Sequence, residues 1–90
     1  MTCDCCLRRK KMLESYAIIK TKSGVINLCV ECNDLEYKIR DDADENNEEQ
    51  FELHKNAIEE RGKKAKSNFK IWHEKFLDKQ KEKMKKNKIM

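Results

Sequence analysis

Proline is absent from this 90-residue chain, and glycine occurs only as Gly24 and Gly62. Without proline the commonest helix breaker is missing, so long helices are permitted wherever helix formers accumulate. Two isolated glycines exclude a glycine-rich phosphate loop. Aromatic residues make up 7% and hydrophobic residues 38%, against 42% charged, a composition that cannot bury a large core. No apolar run approaches the roughly 20 residues of a membrane-spanning helix. The two histidines, His54 and His73, both lie late in the chain, and each is expected on a helix surface. A zinc-stapled nuclease of the His-Asn-His type would need histidines between its cysteine pairs, and none stands there. No catalytic constellation is present. The expectation is a protein that is not an enzyme and takes no small-molecule substrate.

What the chain does have is cysteine. Cys3-Asp4-Cys5-Cys6 and Cys29-Val30-Glu31-Cys32 are two Cys-x-x-Cys clamps with 22 residues between them. Each clamp lets one turn of backbone present two sulfurs to the same ion, and four thiolates suit tetrahedral zinc at about 2.3 Å per bond. The gap is slightly longer than the roughly 15–20 residues usual for such sites. A disulfide framework is disfavoured, because a polar clamp follows Met1 at once and no secretory leader is expected. Redox catalysis needs only one pair, opening a helix in a βαβ context. A four-thiolate iron site uses the same ligands and is the remaining alternative to zinc. The expected cofactor is one structural Zn2+ on Cys3, Cys6, Cys29 and Cys32. Cys5 is left as a bystander, an alternative ligand or a free thiol. A segment of about 40 residues rarely folds without a staple, so the ion should supply on the order of 10 kcal/mol.

Charge is segregated. Residues 1–40 carry eight basic and five acidic groups, residues 41–60 one and nine, and residues 61–90 twelve and three, which sums to the formal +4. Free thiols and abundant lysine suggest a cytoplasm, of a bacterium or of a host cell if the chain is phage-encoded. The run Arg8-Arg9-Lys10-Lys11 follows the first clamp, where it is placed to offset the negative thiolate cluster and lower the thiol pKa values.

Between the clamps, Tyr16–Lys20 and Val25–Leu28 are β-branched and aromatic runs flanking Thr21-Lys22-Ser23-Gly24, which predicts a β-hairpin. Asn33-Asp34 then offers N-cap chemistry for a helix carrying Leu35, Tyr37 and Ile39. Clamp, hairpin, clamp, helix is the order of a treble-clef zinc module over residues 1–40. An acidic linker is expected at 41–47 and a charged helical extension over 48–90, as one long helix or a helical hairpin. The fold class expected is a small α+β zinc-stapled module followed by that extension.

The stretch Val25-Ile26-Asn27-Leu28-Cys29-Val30-Glu31-Cys32-Asn33-Asp34-Leu35 resembles the second half of the zinc-binding module at the N-terminus of the ClpX unfoldase. The resemblance covers residues 3–40 and is of superfamily grade. It implies a treble clef, with Cys3, Cys6, Cys29 and Cys32 as ligands, and it suggests protein docking. This chain departs from it in having no small residue after Cys6, in the extra Cys5, and in lacking a following ATPase.

In the extension, Phe51, Ile58, Ala65 and Trp72 recur every seven residues, and Gly62, Phe69 and Phe76 recur on a neighbouring line, losing apolar character beyond Phe76. Such a stripe packs internally, or it makes a coiled-coil or helix-in-groove contact with a dimer mate or partner, with Trp72, Phe76 and Phe69 as anchors. The basic end supplies Lys79, Lys81, Lys83, Lys85 and Lys86, pointing in all directions on a helix. With Arg8, Arg9, Lys10 and Lys11 these are the candidate phosphate contacts. The functional expectation is a small zinc-finger regulatory protein that binds nucleic acid or a machine handling it. The alternative is a protein-docking adaptor or inhibitor.

Overall fold

The structure, a computed structural model, describes residues 1–22 and 24–88; Ser23 of the expected turn and the last two residues of the expected extension lie outside them. Strands β1 (Ala17–Thr21) and β2 (Gly24–Leu28) form an antiparallel hairpin, followed by helices α1 (Val30–Asp44), α2 (Glu48–Arg61) and α3 (Ser67–Lys88). The strand register runs from Ala17 opposite Leu28 to Thr21 opposite Gly24. Gly24 takes a φ of 139°, a conformation open to glycine and strained for any other residue. On β2 the alternation puts Ile26 and Leu28 into the core.

Helix α1 begins earlier than the Asn33-Asp34 pair suggests. Cys29 is its extended N-cap, and its carbonyl accepts the amide of Asn33 at 2.9 Å. Cys29 and Cys32 therefore sit three residues apart on the opening turn, where helical geometry puts both sulfurs on one side. The second clamp and the helix start are a single feature. At its other end α1 runs through Asp44, so only 45–47 of the expected acidic linker connects to α2. Asn46 there adopts φ 56°, which asparagine tolerates, and the Asn47 side chain caps α2 by accepting the Gln50 amide. Glu48 and Glu49 in the first turn and Arg61 in the last favour the helix dipole.

The extension is two helices, not one. Gly62 ends α2, and residues 62–66 form the connection to α3. This break resets the hydrophobic phase. Phe51, Ile58 and Ala65 keep the seven-residue spacing and are buried, but on α3 the buried line is Phe69, His73, Leu77, Gln80 and Met84, a three-and-four alternation running well past Phe76. Trp72 and Phe76 lie on its flank, partly buried against the core. The packing role of the stripe is thus realised inside the chain, where α1 packs against both α2 and α3. The cysteines, Tyr16, the β2 residues and the helical stripe form one continuous core.

Neither histidine is a free surface residue: His73 is buried in this bundle and His54 is partly buried. His54 on α2 contacts Asp42 of α1 at 2.6 Å, and His73 on α3 lies 2.8 Å from Glu36 of α1. Helical periodicity alone put them on polar faces; packing α1 between α2 and α3 covers them.

The loop before β1 has its own clamp. Arg8 makes two parallel hydrogen bonds to Glu14 at 2.9 and 2.7 Å, Lys11 donates its amide to Glu14, and Tyr16 donates its hydroxyl to the Arg8 carbonyl. Arg8, then the Lys11 amide, hold the Glu14 carboxyl at about 2, down from the ordinary 4.5. Because the folded-state value is the lower one, the clamp acts fully above about pH 4.5 and is lost as pH falls toward 2. A carboxyl NMR titration should find Glu14 still ionised at pH 3, and Glu14→Gln should loosen residues 9–15 at every pH.

Gly62 meets the zinc-type knuckle directly. A Cβ there would sit 3.1 Å from the Cys5 sulfur and 3.2 Å from the Ile58 carbonyl oxygen, and Cys5 is fully buried. Neither neighbour has room to retreat. Gly62→Ala should therefore destabilise the fold by about 1–2 kcal/mol in urea unfolding, despite the better helix propensity of alanine.

Candidate metal centre

The first clamp is a tight turn. Leu7 donates its amide to the Cys3 carbonyl, Cys3 donates to the Arg8 carbonyl, and Thr2 bridges to Arg9, so the chain folds back on itself within nine residues. Leu7 closes this turn at φ 66°. The left-handed position after the clamp is one that a small residue fills without strain, and here leucine occupies it at about 1–2 kcal/mol.

β2 delivers Cys29 and α1 presents Cys32, so that the sulfurs of Cys3, Cys6, Cys29 and Cys32 all lie within 4.8 Å of one another. The Cys6 and Cys29 sulfurs are 3.6 Å apart. A tetrahedron with metal–sulfur bonds of about 2.3 Å has sulfur–sulfur edges of about 3.8 Å, so the spacing fits an ion at the centre. Cys3, Cys29 and Cys32 are completely buried and Cys6 is partly exposed. These four cysteines are positioned to hold a metal ion and are compatible with structural zinc. Cys5, also fully buried, turns away toward α2, with its sulfur 3.8 Å from the Ile58 carbonyl. It belongs to the packing between knuckle and helix.

As thiols, Cys3, Cys29 and Cys32 hold their protons tightly. Cys3 is pushed up to about 12 by its bond with the Cys32 thiol and then by burial. Cys32 is raised too: Cys3 acts in the opposite direction, but Cys5 and burial outweigh it. Burial raises Cys29. A divalent cation displaces such protons, so metal binding here is coupled to proton release.

The cation beside the sulfurs is not in the run that follows the first clamp. Arg8 is committed to Glu14 and, at 3.1 Å, to Glu31. Instead Arg61, the last residue of α2, directs its Nε to Cys32 at 3.3 Å and its Nη2 to Cys29 at 3.8 Å and Cys6 at 3.9 Å. Its own pKa is raised, chiefly by Cys32. One guanidinium thus spans three of four ligands, where a metal with four thiolates would carry a net charge of −2. Asp4 is the other residue that sequence reasoning missed. Buried in the first clamp, it accepts the Asn27 amide of β2 at 2.9 Å and contacts the Lys66 ammonium at 3.3 Å. Its spacing carries no signal; only the packing of residues 62–66 beside the knuckle gives it a role.

No family model, curated protein or solved structure matches this chain. The geometry therefore stands alone.

The candidate phosphate contacts divide. Arg9 and Lys11 are exposed, and Lys10 is partly so. Lys83 pairs with Asp44 at 2.6 Å, and Lys86 lies 3.9 Å from Glu82. Lys81 and Lys85 line a shallow groove with Glu48 and Glu52 of α2. The acidic start of α2 therefore faces much of the basic end of α3, and Lys79 is the exposed lysine of that set outside these contacts. Of the aromatic anchors, Phe69 is buried at 3% exposure, which removes it as a docking residue, whereas Trp72 and Phe76 reach the surface.

Residues that hydrogen-bond to metal ligands typically change affinity 10- to 100-fold when removed. Arg61→Met, which keeps most of the packing stem, should lower metal retention by that factor in competition with a chromophoric chelator, with cobalt or zinc loaded. Complete chelation of the wild type should release the hairpin and the first turn of α1 together, read by circular dichroism.

Proposed function

We propose that this chain is a non-enzymatic, zinc-stapled binding protein, with a treble-clef-like knuckle, that binds nucleic acid through its phosphates. The observation that carries this reading is the sorting of charge. Within the acidic block Asp42 and Glu36 face His54 and His73 in the interior, Asp44 pairs with Lys83, and Glu48 and Glu52 line a groove with Lys81 and Lys85, while Asp41, Glu45, Glu49, Glu59 and Glu60 stay exposed. Left outward are Lys22 on the hairpin, Arg40 on α1, and Lys70, Lys75 and Lys79 on α3, none with a carboxylate within ion-pair distance among the described residues. Lys70, Glu74, Asp78 and Glu82 share one line along α3, every fourth residue, and Lys75 and Lys79 lie on the adjoining flank. The four-thiolate set and its spacing suit structural zinc, with iron the alternative that takes the same ligands.

Phosphate contacts release counterions, so affinity should fall linearly in log–log form with salt, by about 0.7–0.9 per contact. Lys75→Gln with Lys79→Gln should reduce that slope by about 1.5 in an anisotropy titration with a labelled oligonucleotide. Binding that ignores salt, or a slope unchanged by the double substitution, would reject the reading.

A second reading has one observation in its favour. Met12 and Leu13 are 92% and 96% exposed at the tip of the loop clamped by Arg8 and Glu14. A rigid apolar tip suits an adaptor or inhibitor docking into a protein cleft, a contact that salt would barely affect and that Leu13→Ser would abolish.

A further inference from the structure

Two shallow grooves share Trp72 as their common wall. The first, of about 220 Å³, has Ile19 at its hairpin end, Tyr37 and Arg40 from α1 on one side, Trp72 and Phe76 from α3 on the other, and Glu36 in its lining. The second, of about 210 Å³, lies on the far side of Trp72 and includes Lys22, Ile71 and Lys75. Trp72 and Phe76 stack at 5.2 Å with their planes 19° apart, and the Arg40 guanidinium lies 4.7 Å from the centre of the Tyr37 ring. The walls therefore present aromatic surface, with the Arg40 guanidinium lying over the face of Tyr37.

The charge reachable from solvent is all of one sign. Arg40 borders the first groove, and Lys22 and Lys75 border the second. The one carboxylate in either lining is Glu36, which is 4% exposed and held against His73 at 2.8 Å. Neither Glu36 oxygen accepts a hydrogen bond. A cationic side chain would meet three cations at the rims before reaching it. A ligand that complements both features carries a planar, apolar-faced ring and negative charge on each side of it.

We infer that the double groove is a single-stranded nucleic-acid site, in which one unpaired base stacks against Trp72 and its flanking phosphates meet Arg40 on one side and Lys22 and Lys75 on the other. This rests on the nucleic-acid reading above and narrows it to strands whose bases are free to leave the stack. A duplex keeps its bases paired inside and offers no ring to the groove. Base–aromatic stacking is worth about 1–3 kcal/mol per base and tolerates any sequence, so the site would select for strandedness and not for sequence.

Trp72 is the single tryptophan of the chain, so its emission reports on the groove directly. The experiment is a fluorescence titration of the metal-loaded full chain with oligoadenylate, free or annealed to its complement. The free strand should quench Trp72 and bind at least tenfold more tightly than the duplex. In a parallel anisotropy titration with the labelled strand or duplex, Tyr37→Ala, at a position that is 49% exposed, and Trp72→Leu should each weaken strand binding by about 5- to 150-fold and leave duplex affinity unchanged. Equal affinity for strand and duplex with Trp72 unquenched would overturn the groove site while leaving phosphate binding intact. No binding of either would overturn both. Quenching by an acidic amphipathic peptide but not by the strand would make the groove a protein-docking surface and also overturn the inference.

Discussion

Four buried sulfurs drawn from the two ends of a hairpin are the constraint on which this structure depends. Cys3 and Cys6 stand in a turn, and Cys29 and Cys32 open a helix, yet all four approach within 4.8 Å. As neutral thiols they gain little from that proximity, and the net effect on Cys3, Cys29 and Cys32 is that their protons are harder to remove. An ion at the centre changes the balance. It would replace weak sulfur contacts with bonds and fix both ends of the 22-residue segment. A chain that is 42% charged needs such a fixed point, because its apolar residues alone form a thin core.

The knuckle and the helices are held to each other by residues with no metal-binding role. Arg61 closes α2 over three sulfurs, Gly62 lets the chain pass close to Cys5, and Asp4 grips both β2 and the connection before α3. These contacts place the positive end of a side chain where charge would accumulate and spare the site a bare, buried dianion. They also make the module and the extension one body with one core, so metal loading in the knuckle and helix packing support each other.

Charge segregation along the sequence becomes charge sorting in space. Part of the acidic middle of the chain is folded against histidines and the basic end of α3, and a flank of lysines and arginine lies exposed beside Trp72, Phe76 and Tyr37. The basic tail is largely answered from within. That shifts the most available positive surface from the C-terminal run to the seam between hairpin, α1 and the first half of α3.

The metal ligands, the hairpin, the glycine of its turn and the presence of helices beyond residue 47 were legible because each follows from local chemistry: ligand spacing, β-branched runs, a φ that glycine alone takes freely, and the absence of proline. The start of α1 was misplaced because Cys29 caps it through backbone geometry, with no side-chain signal. The second half of the stripe was out of phase because the break at residues 62–66 rotates α3 relative to α2, and periodicity carries no memory across a turn. The roles of Arg61 and Asp4, the contacts of the two histidines and the double groove belong to tertiary structure alone. Their partners lie 12 to 62 positions away, from His54 with Asp42 to Asp4 with Lys66, and a pairing of that range exists only once the chain has packed.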